Sequence, residues 1–344
     1  VSCWLVAGCG PAGDTKTAGE VVVYSSVDDV YVRPVADLFT RRTGVQVKLV
    51  LDTEETKSTG LLNRLLAESA RPQADVFWSG DPVRAAVLKS HGLAEMFSPS
   101  KADGLDHRFS DPEHQFTSFS ARLRVIIFNR QRVGTNPLPQ SIFDLTSARF
   151  SGRACLANPL FGTTSMHAAA LFQVLGAEKA TQLFEQFTAN GVRMLSSNGE
   201  VRRRVSLGDF DIGLTDSDDV NVALKDGQPV GFVLPDQEGM GTLLVPNAAV
   251  LLRGSPHATN GQAFVNFLTS AEVEKLLAES DAAQIPLRQG LRAPRLFGKE
   301  LGQIRLMSVD YSKLAAELQA LSGGFLEKWA REQNSASAGE RKAR

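Results

Sequence analysis

Three apolar segments near the start of the chain, Val21 to Tyr24, Val45 to Leu51 and Asp75 to Trp78, each run directly into a small polar cluster. The clusters are Ser25, Ser26, Asp28 and Asp29 after the first, Asp52 to Lys57 after the second, and Ser79, Gly80 and Asp81 after the third. Helix-compatible stretches separate the segments. The order strand, helix, strand, helix, strand predicts a parallel sheet whose strand ends face one way. In open sheets of this kind ligands bind in the crevice outside the carboxyl ends of the strands. All three clusters therefore point at one place, and it reads as a binding cleft.

The alternation resumes further along. Val125 to Phe128 reads as a strand that follows a polar stretch from Ser98 to Ser118 and crosses into a second unit. That unit holds predicted strands at Ala154 to Ala157, Val192 to Leu195 and Asp211 to Thr215, with helices over Met166 to Leu175 and Val201 to Leu207. A strand over Val245 to Leu252 and a helix through Phe264, Phe267 and Leu268 read as the chain returning to the first unit. With 344 residues, two domains are the expectation. The predicted class is α/β with two lobes, each a mostly parallel sheet flanked by helices, and the ligand between them. Residues 20–122 with 243–300 form the first lobe and 123–242 the second. Helices over 301–333 pack on the lobes, and 334–344 is a polar, disordered tail. The first helix runs from Asp29 to Arg42, with Pro34 tolerated only in its opening turn.

Composition narrows the function. At 43% hydrophobic and 22% charged residues the chain can bury a full core, and a net charge of −1 does not suit a phosphate-backbone binder, so no nucleic-acid partner is expected. The dense basic run Arg202 to Arg204 reads as a solvated helix face. Three scattered cysteines, Cys3, Cys9 and Cys155, support neither a zinc site nor a disulfide framework. Leu5-Val6-Ala7-Gly8-Cys9 resembles a bacterial lipobox, which implies acylation of Cys9. Residues 1–19 then read as signal remnant and flexible tether. That predicts attachment to a membrane by a lipid anchor only, in the periplasm or on an extracytoplasmic surface, with Cys155 left as a buried thiol.

Candidate ligand groups follow from the strand ends. Gly162-Thr163-Thr164-Ser165 precedes a helix, where unpaired backbone N–H groups and hydroxyls can seat an anion; plain helix capping explains the same residues equally well. Ser196 to Gly199, which includes Asn198, and Ser25-Ser26 stand before helices in the same way. Facing them are carboxylates after predicted strands, namely Asp28, Asp29, Glu54, Glu55, Asp81, Asp216, Asp218 and Asp219. First-turn acids stabilise helices through the dipole alone. Carboxylates gathered away from water also need positive charge between them, which a metal ion or a ligand ammonium would supply. The sequence carries no nucleophile elbow, zincin, P-loop or dinucleotide motif, so no catalytic residue is assigned and an enzyme is not expected. His167, just past Ser165, could reach the cleft, though such a histidine is more often a satisfied helix residue.

The runs YSSVDDVYVRPVADLF, TGVQVKLVLDTEETKSTGLLNRLLAE, QADVFWSGD, GLTDSDDV and VLPDQEGMGTLLVPNAAVLL resemble the ferric-ion-binding branch of periplasmic solute-binding proteins that serve ABC importers. The similarity extends from about Glu20 to Leu291. It implies the type II periplasmic-binding-protein fold, a receptor that closes by a hinge on a small solute and delivers it, as a monomer, to a membrane permease. It requires no cofactor; a metal ion (iron) or a phosphate-like anion would be cargo. The iron binders place an adjacent tyrosine pair where this chain has Asp218 and Asp219, and commonly a histidine near the position of Asp28. Their glutamate-bearing segment corresponds here to Ser79-Gly80-Asp81. Thr163 to Ser165 and Asn198 match the region that seats a partner anion. Two cargo readings result: a hard-oxygen metal site from Asp28, Asp218 and Asp219 with Glu54, or a phosphate or phosphonate head held by Ser26 and Thr163 to Ser165 with the aspartates on an amine or hydroxyls. The candidate ligand-binding set is Ser25, Ser26, Asp28, Glu54, Ser79, Asp81, Thr163, Thr164, Ser165, Asn198, Asp216, Asp218 and Asp219. A ligand-sensing periplasmic domain is the alternative of another class.

Overall fold

The computed structural model describes residues 19–52 and 59–343; Cys9 with its lipobox, and Glu54 and Glu55, lie outside them. The chain opens β1 (Glu20–Ser25), α1 (Asp29–Thr43), β2 (Gln46–Leu51), α2 (Thr59–Ala67), β3 (Val76–Ser79) and α3 (Pro82–Ser90). Then come β4 (Thr117–Asn129), α4 (Arg130–Val133), β5 (Ala154–Ala157), α5 (Gly162–Leu175) and α6 (Ala177–Ala189). These lead to β6 (Arg193–Leu195), α7 (Asn198–Ser206), β7 (Ile212–Asp216), α8 (Ser217–Lys225) and β8 (Val230–Val233). The rest is β9 (Leu244–Leu251), α9 (Ala258–Leu268), α10 (Ala271–Glu279), α11 (Tyr311–Ser322) and α12 (Phe325–Ala343).

The strands follow one path, β2-β1-β3-β9-β4-β7-β5-β6, with β8 also on β4. The two wings are parallel: β2, β1 and β3 at one end, β7, β5 and β6 at the other. Between them β9 and β4 run antiparallel to their neighbours. The early part of β4, from Thr117 to Leu123, pairs with β9, and its later part, from Arg124 to Phe128, pairs with β7. One buried strand thus belongs to both halves, and the carboxyl ends of β1, β5, β6 and β7 face a shared space beside it.

β4 starts well before the Val125 that the apolar run marks. Phe119, Ala121, Leu123 and Val125 alternate with Ser118, Ser120, Arg122 and Arg124, yet both faces are buried. Period-2 alternation normally signals one wet face; here Arg122 and Arg124 turn inward to Asp216, and Ser118 bonds the Phe109 carbonyl. A bulge interrupts the β9 pairing between Phe119 and Ala121, and Ser120 within it takes φ of 41°.

In α1 the residues Tyr31, Val32, Val35, Ala36 and Phe39 form the buried stripe, and Gly44 ends the helix at φ 76° with its N–H on the Thr40 carbonyl. Pro34 occupies the second turn, not the opening one. Its missing N–H would have bonded the carbonyl of Val30, a residue 70% exposed, so water can take that place. The C-terminus also departs from expectation, because α12 continues helically to Ala343 where a disordered tail is predicted over 334–344. Ala, Glu, Lys and Arg are strong helix formers, and they extend a helix already nucleated by packing. That packing is aromatic: Trp329 meets Phe184 of α6 edge-on at 5.2 Å, and its indole N–H donates to the Phe184 carbonyl at 2.9 Å. Cys155 is a fully buried free thiol whose ionisation burial suppresses.

Trp329→Ala should therefore destabilise the chain by about 3–5 kcal/mol, as large aromatic truncations do in packed cores. Urea unfolding measures it, and a loss below about 1 kcal/mol would mean that α12 is only lightly docked.

Candidate functional site

A cavity of about 70 Å³ lies where the strand ends converge. One water needs roughly 10–15 Å³ by the same measure, so the space has room for a handful of small groups. From the β1 side come Ser26, Val27, Asp28 and Tyr31; from the β5–α5 turn Asn158, Phe161, Thr163 and Thr164. The β6–α7 turn adds Ser196, Ser197, Asn198 and Arg202, and the β7–α8 turn adds Asp216, Asp218 and Asp219. Arg122 of β4 and Gln284 complete the wall.

Four residues of the polar wall are held by one side chain. Arg124, fully buried on β4, donates through Nη1 to Asp216 at 2.7 Å, Thr163 at 3.0 Å and Asn198 at 3.1 Å, and through Nη2 to Thr164 at 3.2 Å. The other Asp216 oxygen accepts from Thr163 at 2.6 Å, Asn198 at 3.2 Å and Arg122 at 3.3 Å. Burial alone would favour a neutral Asp216, but Arg124 and Arg122 outweigh it and hold its pKa below the usual carboxylate value. Thr163 and Thr164 are therefore not simple caps. The cap position of α5 is Phe161, and the threonines occupy the first turn with hydroxyls fixed toward Arg124 and Asn198.

Asp218 is in the opposite condition. Its side chain is 14% exposed, and burial followed by repulsion from Asp216, Asp219 and Asp28 pushes its pKa up to about 8, although Arg122 pulls the other way. Asp216, Asp218 and Asp219 each place a carboxylate oxygen within 4.8 Å of the others. Asp28 is not one of this trio, in contrast to the Asp28, Asp218 and Asp219 set expected as metal ligands. It lines the same cavity from the β1 side, and its charge is felt by Tyr31, Asp218 and Arg122. Asp219 accepts from Thr215 at 2.8 Å and lies 3.9 Å from Arg202.

The structure thus brings Ser26, Asp28, Thr163, Thr164, Asn198, Asp216, Asp218 and Asp219 to one cavity. It turns four other candidates inward. Ser25 donates to the Trp78 carbonyl and accepts from Val27 N–H; Ser79 accepts from Asp81 N–H. Asp81 caps α3 and pairs with Arg84 at 3.4 Å, and Ser165 accepts from Arg84 at 2.7 Å while donating to the Gly162 carbonyl. All four are fully buried and none lines the cavity. Glu54 lies outside the described residues.

Arg122, Arg124, Arg202, Tyr31 and Gln284 were not legible as site residues. Arg202 leaves the solvated face assigned to Arg202 to Arg204 and reaches the cavity; Arg203 and Arg204 do pair outside, with Glu200 and Asp209. His167 is buried beside Arg124 and absent from the cavity wall, and burial with the nearby guanidinium lowers its pKa to about 3, so it stays neutral. Tyr31 is the tyrosine of the cavity, for Tyr24 bonds Glu68 and Tyr311 bonds the Leu244 carbonyl. Gly80 contributes by lacking a side chain. Its N–H donates to Ser26 Oγ at 2.9 Å, and a Cβ there would come within 3.1 Å of Arg122 Nη2.

Comparison with known proteins fits this arrangement. The family described as bacterial extracellular solute-binding protein matches residues 20–280. Iron uptake protein A1 of Synechocystis sp. is 24% identical over 320 residues, 85% of each chain. The crystal structure of iron-bound HitA from Pseudomonas aeruginosa has a TM-score of 0.79 at 24% identity, covering 91% of this chain and 99% of that one. AfuA from Actinobacillus pleuropneumoniae, a periplasmic binding protein with fructose-6-phosphate bound, reaches 0.80 at 22% identity over 92% and 99%. The architecture is that of the two-lobed periplasmic binding proteins, and the chain belongs to the bacterial extracellular solute-binding protein family.

Proposed function

We propose that this chain is the extracytoplasmic receptor of an ABC importer, not an enzyme, and that its cavity captures a metal ion together with an oxyanion, iron being the metal. In this reading 20–122 with 243–300 and 123–242 are lobes that close on cargo about β4 and β9, the receptor is a monomer handing its cargo to a permease, and Cys9 carries a lipid anchor. The observation that carries it is the meeting, in one cavity of about 70 Å³, of a crowded carboxylate group with hydroxyl and amide groups at the starts of α5 and α7. Asp218, Asp219 and Asp28 are hard oxygen donors that suit a small, highly charged cation. The helix starts beside Thr163, Thr164 and Asn198 suit an anion that balances it. Relatives and neighbours named for iron support the choice of metal.

A second reading is a phosphate-bearing organic solute. It is favoured by Tyr31 standing without a tyrosine neighbour, by Arg122 and Arg202 in the wall, and by the bound fructose-6-phosphate of AfuA. Elemental analysis with native mass spectrometry of the purified protein separates the two. Stoichiometric iron is expected from the first, and an added organophosphorus mass without metal would replace it by the second.

Under both readings Asp218 and Asp219 touch the cargo. Replacing both by alanine should weaken cargo binding by about tenfold to a hundredfold, the scale of charge-assisted contacts. Calorimetric titration checks it; unchanged affinity would leave these residues only a helix-dipole role.

The raised pKa of Asp218 also sets a pH dependence. The folded protein holds a proton that the unfolded chain, near the usual 3.8, releases. Its contribution to stability is complete below about pH 4 and is lost as pH rises through about 8. The melting temperature of cargo-free protein should therefore fall between pH 5 and 9 more steeply in wild type than in Asp218→Asn. Parallel melting curves would remove the basis for placing that proton on Asp218.

A further inference from the structure

Gln284 lies in the loop after α10, fully buried, and forms part of the cavity wall. Its amide orientation is decided by its surroundings. Asn247 of β9 is held with its NH2 toward two backbone carbonyls, those of Phe119 at 3.3 Å and Ser120 at 2.9 Å. Turning Asn247 over would set its oxygen against both carbonyls. The same nitrogen lies 2.7 Å from the terminal amide of Gln284, so the atom facing it must be the acceptor, Oε1. What Gln284 has left is its Nε2, a buried donor pair with no hydrogen-bond partner among the described residues.

The mounting of this donor is rigid. Ile285 and Ala121 exchange both backbone hydrogen bonds at 2.7 Å, which clamps the loop to the β4 bulge. Buried Glu274 accepts from the N–H groups of Ser120 at 2.9 Å and Leu287 at 2.8 Å, tying the β4 bulge and the loop to α10. Ala283, just before Gln284, takes φ of 42° and Ser120 φ of 41°, conformations that non-glycine residues adopt only when their surroundings impose them. A buried donor left unmade is costly, and strained backbone holding such a residue at a cavity wall is the pattern of a ligand contact prepared in advance.

We infer that Gln284 reads an acceptor oxygen of the captured solute from the β1 side, opposite Thr163 and Thr164, and so makes the cavity selective for oxyanion-bearing cargo over a bare cation. An amide NH2 carries partial positive charge. It opposes a naked metal ion and welcomes an oxygen of phosphate or of a comparable oxyanion. Because the threonines and Asn198 stand on the other half of the sheet, one oxyanion can hold both halves at once. This inference rests on the cavity being the cargo site and adds to it which atom of the cargo faces β1.

The test is calorimetric titration of the purified chain with three probes: ferric ion alone, ferric ion with inorganic phosphate, and fructose 6-phosphate. The proteins are wild type, Gln284→Met, which keeps the volume and removes the donor, and Gln284→Glu, which keeps the acceptor for Asn247 and places negative charge at the wall. Thermal melts establish that each variant is folded. Wild type should bind at least one oxyanion-bearing probe, Gln284→Met should weaken that binding by about tenfold or more, and Gln284→Glu should weaken it further. Any affinity for ferric ion alone should not fall in either variant. If wild type binds an oxyanion-bearing probe and a folded Gln284→Met binds it equally well, the inference is overturned while the cavity reading stands. If wild type binds none of the three probes, the cavity reading falls and takes the inference with it.

Discussion

The contact on which this architecture turns is the buried pair of Arg124 and Asp216, 2.7 Å apart. A guanidinium taken out of water without a counter-charge is among the most costly groups a protein can bury. Arg124 meets that cost by collecting acceptors from separate pieces of the chain: β7 supplies Asp216, α5 supplies Thr163, Thr164 and the neutral ring of His167, and α7 supplies Asn198. Asp216 in turn is filled by Thr163, Asn198 and Arg122. Removing Asp216 would strand Arg124 in a low-dielectric interior, and removing Arg124 would leave Asp216 only the longer ion pair with Arg122 at 3.3 Å. The geometry of three strand tips is thereby locked to one residue of the strand that runs through both halves.

This division of labour explains why neighbouring carboxylates behave so differently. Asp216 spends its oxygens on the frame and stays charged. Asp218, two residues on, shares Arg122 with it but receives no comparable set of donors, and the acids around it push its proton on. A group that is not satisfied by its own protein is the one available to a visitor. The frame and the receptive surface are thus built from the same short turn, with the helix start deciding which side chain goes where.

Much of this was legible before the fold. Strand ends followed by Ser, Thr and Asp are a geometric signature, and Ser26, Asp28, Thr163, Thr164, Asn198, Asp216, Asp218 and Asp219 all reach the cavity for that reason. Ser25, Ser79, Asp81 and Ser165 carry the same signature and turn the other way, because a small polar side chain at a strand end serves equally well to close a turn or cap a helix. Sequence spacing does not tell these uses apart. The arginines were illegible for another reason: in Ser118 to Val125 the alternation of polar and apolar residues normally means one face in water, and only the docking of a second half makes that face internal. Gln284 and Tyr31 carry no local signal at all, being placed by a tertiary bridge to β4 and by the rotation of a helix.

Gly80 supplies the last consequence. Its backbone supports Ser26 on one side, and on the other the missing side chain lets the Arg122 guanidinium lie against the tip of β3. The bore of the chamber is therefore gauged by a hydrogen atom just past the end of a strand that contributes no lining group of its own. One methyl there would press on the Arg122 guanidinium at 3.1 Å, so a lineage could retune what fits by editing the scaffolding and leaving every contact residue as it is.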